Sequence, residues 1–158
     1  MADTSIIIIG AGMAGLGAGC YAQMFQSAVQ VSFGVAMDLS GQPHAQVWHL
    51  DPPVRIDDDT LTMLQARHFC YDPSMAPAGK SAVTVLYDSE ITPWRAVLDR
   101  GRPAYEERKE EIARAIGGLL DARLPGFAQA VEVVDVATPV TFERYTGNWK
   151  GSIEGWLP

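Results

Sequence analysis

The residues best placed to do chemistry open the chain: Gly10, Ala11, Gly12, Met13, Ala14 and Gly15, a G-x-G-x-x-G spacing directly behind Ser5-Ile-Ile-Ile-Ile9. Each glycine has its own task in such an arrangement. Gly10 allows the tight turn out of a strand, Gly12 lets the backbone approach a pyrophosphate, and Gly15 lets the next helix lie close to the sheet. A helix over 13–26, rich in small residues such as Gly17, Ala18, Gly19 and Ala22, would aim its free N–H groups and positive dipole end at that phosphate. The chemistry is dinucleotide binding, with Ala11, Met13 and Ala14 supplying backbone around the glycines. The competing reading is a glycine-rich turn used only for packing.

A nucleotide-binding unit next requires a parallel strand ending in Asp or Glu, about 20 residues beyond the glycines, to hold the ribose hydroxyls. Ser32 stands near that spacing, and the first acidic residue after the motif is Asp38. The pattern is also wrong for such a strand. Val29, Val31, Phe33, Val35, Met37 and Leu39 alternate with Gln30, Ser32, Gly34, Ala36, Asp38 and Ser40, the period of a sheet with one face on a core and one more polar face. A strand covered by helices on both faces reads as a near-continuous apolar run. Residues 29–39 are therefore expected in an antiparallel or mixed sheet, and a small NAD-binding protein is the weakest reading.

Other chemistry-bearing residues are sparse. Asp57, Asp58 and Asp59 are consecutive, and three adjacent carboxylates cannot all converge on one cation, so a solvated turn is expected and no metal site is assigned. Lys80 lacks the preceding glycine spacing of a phosphate-binding loop. His44, His49 and His68 are the groups that titrate near neutrality, each in or beside a strand, where packing or surface roles are expected. Cys20 and Cys70 have no metal or redox spacing and read as packed thiols. No catalytic residue is singled out.

The elements that must position these residues follow from periodicity and punctuation. Ser40-Gly-Gln-Pro-His44 interrupts the first strand, and 45–50 can return as its hairpin partner until Asp51-Pro52-Pro53 ends it. Strands are expected over 64–71 and 81–87, joined by the loop Asp72-Pro-Ser-Met-Ala-Pro-Ala-Gly-Lys80. The period then changes to 3.6 over 103–123, where Ile112, Ile116, Leu119 and Leu120 form an apolar stripe and Glu106 to Glu111 with Arg114 the wet face. Glu110 and Arg114 are spaced to pair at i, i+4. Leu124-Pro125-Gly126 stops that helix, and 131–136 makes a further strand. The last stretch sets Phe142, Tyr145, Trp149 and Trp156 among Gly147, Gly151 and Gly155, which suits either an apolar ligand cavity or hydrophobic closure of a sheet edge.

Composition narrows the partners. A chain of 158 residues with a net charge of -7 lacks the clustered Lys and Arg that neutralise phosphates, which argues against nucleic acid. The isoleucine run is too short to span a bilayer and no basic region precedes it, so no transmembrane segment and a cytoplasmic location are expected.

On these residues the chain resembles a known family. Ser5-Ile-Ile-Ile-Ile-Gly-Ala-Gly-Met-Ala-Gly-Leu16 is similar to the FAD-binding N-terminus of phytoene desaturase-like flavoproteins, the carotenoid desaturase, isomerase and retinol saturase group of the amine oxidase superfamily. Val29-Gln-Val-Ser-Phe-Gly-Val-Ala-Met-Asp-Leu-Ser-Gly-Gln-Pro-His44 resembles a much later stretch, in the substrate-binding domain. His68-Phe-Cys-Tyr-Asp-Pro-Ser-Met-Ala-Pro-Ala-Gly-Lys80 and Glu143-Arg-Tyr-Thr-Gly-Asn-Trp-Lys-Gly-Ser-Ile-Glu-Gly-Trp156 continue the match in order.

The resemblance implies FAD as cofactor, contacted by Gly10, Ala11, Gly12, Met13, Ala14 and Gly15, and an apolar polyene as substrate. It also implies an internal deletion with its junction near 25–28 and a shortened C-terminus, because family members are several times longer. The expected fold is α+β: a mixed or mostly antiparallel sheet over 28–158, of the substrate-binding type and covered on one side by the 103–123 helix. A residual Rossmann-like strand-turn-helix over 1–27 precedes it. Two functions follow: a FAD-dependent oxidoreductase whose site a partner subunit completes, or a non-catalytic structural or interaction remnant that does not bind FAD alone. An orphaned strand of four isoleucines invites pairing, so a homo-oligomer, most simply a twofold dimer, is expected.

Overall fold

A computed structural model of the chain describes residues 26–153. The strand, glycine turn and helix expected over 1–27 fall outside the described residues, except for 26 and 27. So do all six expected FAD contacts, Gly10 to Gly15.

The described residues form an α+β fold built on one five-stranded sheet. Its strands are β1 (Ala28–Val35), β2 (Ala45–Ile56), β3 (Asp59–His68), β4 (Ser81–Asp88) and β5 (Val131–Ala137), in the order β2-β3-β4-β1-β5. Every neighbouring pair is antiparallel. Between β4 and β5 the chain makes α1 (Ile91–Asp99), α2 (Arg102–Asp121) and the single turn α3 (Phe127–Ala130), and after β5 it makes α4 (Pro139–Thr146) and a 3-10 turn at Trp149–Gly151.

The alternation expected over 29–39 has its consequence as far as Val35, where β1 ends; residues 36–39 leave the sheet. Val29, Val31, Phe33 and Val35 are buried and join Val83, Val85, Leu64, Ala66 and Val136 in one apolar cluster with Trp94, Ile112, Ile116, Leu120 and Phe127 of the helices. Phe33 meets Phe127 edge to face, with ring centroids 5.4 Å apart. The opposite face of β1 carries Gln30, Ser32 and Gly34, in register with Leu86, Thr84 and Ala82 on β4. Helix α2 closely follows the expected 103–123 segment: Ile112, Ile116 and Leu120 are buried, Pro103 sits in the first turn, and Leu119 is partly buried against the core.

Several expectations need correction. Residues 45–50 do not return against β1 as a hairpin. Instead β1 lies between β4 and β5, and β2 is the far edge of the sheet. Burial explains the choice: β1 buries one whole face and takes a partner on each side, whereas β2 is mostly exposed. Asp51-Pro52-Pro53 does not end β2, which bulges there and pairs again from Val54 to Ile56. Prolines are tolerated on an edge strand because the outward N–H groups have no ladder partner to lose. Consequently β3 begins at Asp59 rather than near 64, joined to β2 by a two-residue turn, Asp57-Asp58.

Helices α1, α3 and α4 have no counterpart in the sequence reading. Helix α1 buries Ile91, Trp94 and Val97 at i, i+3 and i+6. In α4, Thr138 caps the N-terminus by accepting from the Thr141 N–H, Pro139 follows, and Gly147 closes the C-terminus at φ 71. Thr-Pro followed by Gly after eight residues is a start and stop signal that was available.

Candidate functional site

Two of the places where side chains converge among the described residues involve candidates from the sequence. The first is an apolar groove of about 330 Å³ between α2 and the β5 side of the sheet, lined by Phe33, Ala113, Gly117, Ala128, Val131 and Val134. Small residues on α2 leave the space: a Cβ built on Gly117 would stand 3.9 Å from the Phe33 ring. Glu110 and Arg114 stand at its mouth. They do not form the expected i, i+4 ion pair; on this helix Glu106 pairs instead with Arg102 at 2.7 Å and Lys109 at 3.1 Å.

The second is a polar node at the β2–β3 turn. Arg108, expected on the wet face of α2, is buried with its guanidinium carbon 4.3 Å from the centroid of the Trp94 ring. It donates to the Pro93 carbonyl at 3.1 Å and to Asp58 Oδ2 at 2.9 Å, and it pairs with Asp57. Trp94 Nε1 donates to Ser89 Oγ at 3.1 Å, and Ser89 in turn hydrogen-bonds the Asp59 carboxylate. Burial raises the Asp59 carboxyl above its ordinary range, against the opposing effects of Ser89 and Arg108. Burial, reinforced by the negative charges of Asp59 and Asp57, pushes the Tyr87 phenol up as well. Asp59 Oδ2, Tyr87 Oη and Arg108 Nε are all buried without a hydrogen-bond partner. Sequence reasoning missed this node because its anchors, Arg108 and Trp94, lie on different helices.

The acidic run is therefore a turn, as expected, but not a wholly solvated one. Asp57 and Asp58 are exposed and held by Arg108, and Asp59 is half-buried. Among the described residues no group of three or more His, Cys, Asp or Glu is placed to hold a metal ion.

The remaining candidates are scattered. His44 and His49 are exposed, with the His44 ring edge-on to Tyr71 at 5.8 Å. His68 is buried: its Nδ1 accepts from the Cys70 N–H at 3.3 Å and its Nε2 lies 3.0 Å from the Gln42 carbonyl, which fixes the tautomer with the proton on Nε2. It pins the 36–44 connection. Ser81 helps, accepting from the Leu39 N–H at 3.0 Å and donating to the Met37 carbonyl at 2.6 Å. Cys70 is a partly buried free thiol 3.2 Å from Ser81 Oγ. Lys80 is paired with Glu132 at 2.6 Å. Of the terminal aromatics, Tyr145 and Trp149 are exposed and Phe142 is half-buried, so they do not gather into a cavity of their own. Cys20 and Trp156 lie outside the described residues.

No protein-family model matches the chain, and no curated protein matches it. No helix of the described residues is long and apolar enough to cross a membrane.

Proposed function

We propose that residues 26–153 are the substrate-side layer of a phytoene desaturase-like flavoprotein, retained without a working nucleotide site, and that the chain holds an apolar ligand but performs no flavin chemistry by itself. The observation that carries this reading is the sheet. Dinucleotides bind at the carboxyl ends of parallel strands, where the strand order reverses, and every neighbouring pair in this sheet is antiparallel. A sheet of this kind offers no such crevice, which supports the reading, and in this proposal any contact with FAD falls on Gly10, Ala11, Gly12, Met13, Ala14 and Gly15.

Two further features support the reading. One face of β1 and β4 packs in the core with the helices and the opposite face is less buried, the pattern of an antiparallel sheet covered on one side. The Phe33–Val134 groove offers a small apolar lining of the kind that a hydrocarbon segment would occupy. In this proposal the chain resides in the cytoplasm and associates as a twofold dimer, and sedimentation across a range of concentrations tests the association.

The deciding experiment is a titration of the purified chain with FAD, followed by flavin absorbance and fluorescence, with Gly12→Val as the control that blocks close phosphate approach. The expected result is no saturable binding to either protein. Saturable binding lost in Gly12→Val would replace this reading with that of a flavin-dependent oxidoreductase completed by a partner subunit.

A further inference from the structure

A cavity of about 370 Å³ lies between α2, α4 and β5, on the N-terminal half of α2 and away from the apolar groove. Its chemistry differs from that of the groove. Val136 and Val140 give it an apolar floor beside the Tyr105 and Thr141 hydroxyls, while Arg102, Lys109 and Arg144 stand around it. Cations gather here on a chain whose net charge is -7.

The nearby carboxylates set the charge of a fitting ligand. Glu106 bridges Arg102 and Lys109, and Asp135 lines the wall, so three cations against two carboxylates leave one positive charge. Arg144 has no carboxylate in ion-pair range among the described residues; its guanidinium lies 5.4 Å from the Tyr145 ring centroid. The Lys109 side chain is only 19 % exposed, and its ammonium is 5.8 Å from the Tyr105 ring centroid. A charge screened from water in this way attracts an anion more strongly than one on an open surface. The phenol below is held in place, since Tyr105 Oη is 2.5 Å from Thr138 Oγ1 and 3.4 Å from Thr141 Oγ1.

We propose that this cavity binds a small organic monoanion: a carboxylate on a short apolar body. Arg144 and Lys109 hold the carboxylate, and Val136 and Val140 take the body. A divalent anion is disfavoured because Glu106 and Asp135 already return two negative charges to the site. The volume falls within the ordinary range of ligand pockets, roughly 300–1,000 Å³. The proposal does not depend on the flavoprotein reading.

The test titrates the nitrogen-15-labelled full chain with octanoate, 1-octanol and inorganic phosphate, following backbone amide shifts. Octanoate is expected to shift the amides of Val136, Val140 and Thr141 saturably, and octanol and phosphate to bind at least about tenfold more weakly, since a charge-assisted hydrogen bond is the discriminating contact. The exposed substitution Arg144→Gln should weaken octanoate about tenfold and leave octanol unchanged, whereas Arg114→Gln, at the mouth of the apolar groove, should leave both unchanged. Equal affinities for octanoate and octanol, phosphate binding as tight as octanoate, shifts confined to Phe33 and Val134, or an Arg144→Gln protein that binds octanoate normally would each overturn the proposal.

Discussion

The Arg108 guanidinium carbon lies 4.3 Å from the centroid of the Trp94 ring, and this contact ties α2 and α1 to the hairpin turn at the opposite end of β3 from the Gly79 loop. A lone buried cation would be costly. Here the ring, a backbone carbonyl and two carboxylates share its charge, while the indole N–H reaches Ser89 and, through it, Asp59. Helix packing and turn geometry are thereby coupled through one residue.

Arg108→Ala is expected to lower stability by roughly 2–3 kcal/mol. That is less than breaking a fully buried ion pair, because Asp57 and Asp58 are partly solvated and can rehydrate. Arg108→Lys keeps the charge but not the planar fork, and should recover less than half of the loss. Urea denaturation midpoints measure both, and an unchanged midpoint for Arg108→Ala would show that the contact contributes nothing.

The raised Asp59 carboxyl gives stability a signed dependence on pH. The folded protein holds this proton more tightly than the unfolded chain, whose value is 3.8. The associated stability is fully present below that value and is lost as pH rises through the folded pKa. Asp59→Asn cannot titrate and can still accept from Ser89. Its stability relative to the parent should therefore increase as pH rises from 3.8 towards neutrality. Parallel denaturation curves at several pH values test this, and a difference that stays flat or falls with rising pH would contradict it.

Local pattern carried much of this fold and little of its pairing. Val29 to Val35 announced a strand with one buried face, and Ile112, Ile116 and Leu120 announced the helix above it, because both signals reside in consecutive residues. Which strand lies beside β1 depends on β4 and β5, about 50 and 100 residues away along the chain, a separation that no turn motif records. Residues 45–50 had the right local chemistry for a hairpin and still went to the edge. The Arg108 node was equally hidden: an arginine among Glu106, Glu107, Lys109, Glu110 and Glu111 reads as solvated until Trp94 is seen to lie under it.

Gly117 and Gly118 both lie within α2, where glycine costs about 0.5–1 kcal/mol relative to alanine. Nothing stands within 4 Å of a Cβ added to Gly118, so Gly118→Ala should raise stability by about that amount. Gly117→Ala should do the same, since its new Cβ would meet the Phe33 ring at ordinary contact distance. Gly117→Leu, in contrast, would project into the groove and should reduce binding of a hydrocarbon probe such as hexane while the helix stays folded. Circular dichroism melting and a hexane titration separate the two effects, and undiminished hexane binding by Gly117→Leu would locate the apolar site elsewhere.

Gly151 allows no such freedom. It closes the 3-10 turn after α4 at φ 67, and a Cβ placed there would run into the Pro139 carbonyl, a backbone atom that cannot swing aside. The turn also brings Ser152 against Ser27 at the start of β1, where Ser27 Oγ donates to the Lys150 carbonyl at 2.6 Å and the Ile153 N–H donates to the Gln26 carbonyl at 3.3 Å. Gly151→Ala is expected to cost roughly 1–3 kcal/mol through strain, and to open this contact before the rest of the sheet. Hydrogen exchange provides the measurement: the Ile153 amide should lose protection while Val31 and Val85, at the sheet centre, keep theirs. Equal loss at all three would mean that the closure is not a separate unit but part of the cooperative core.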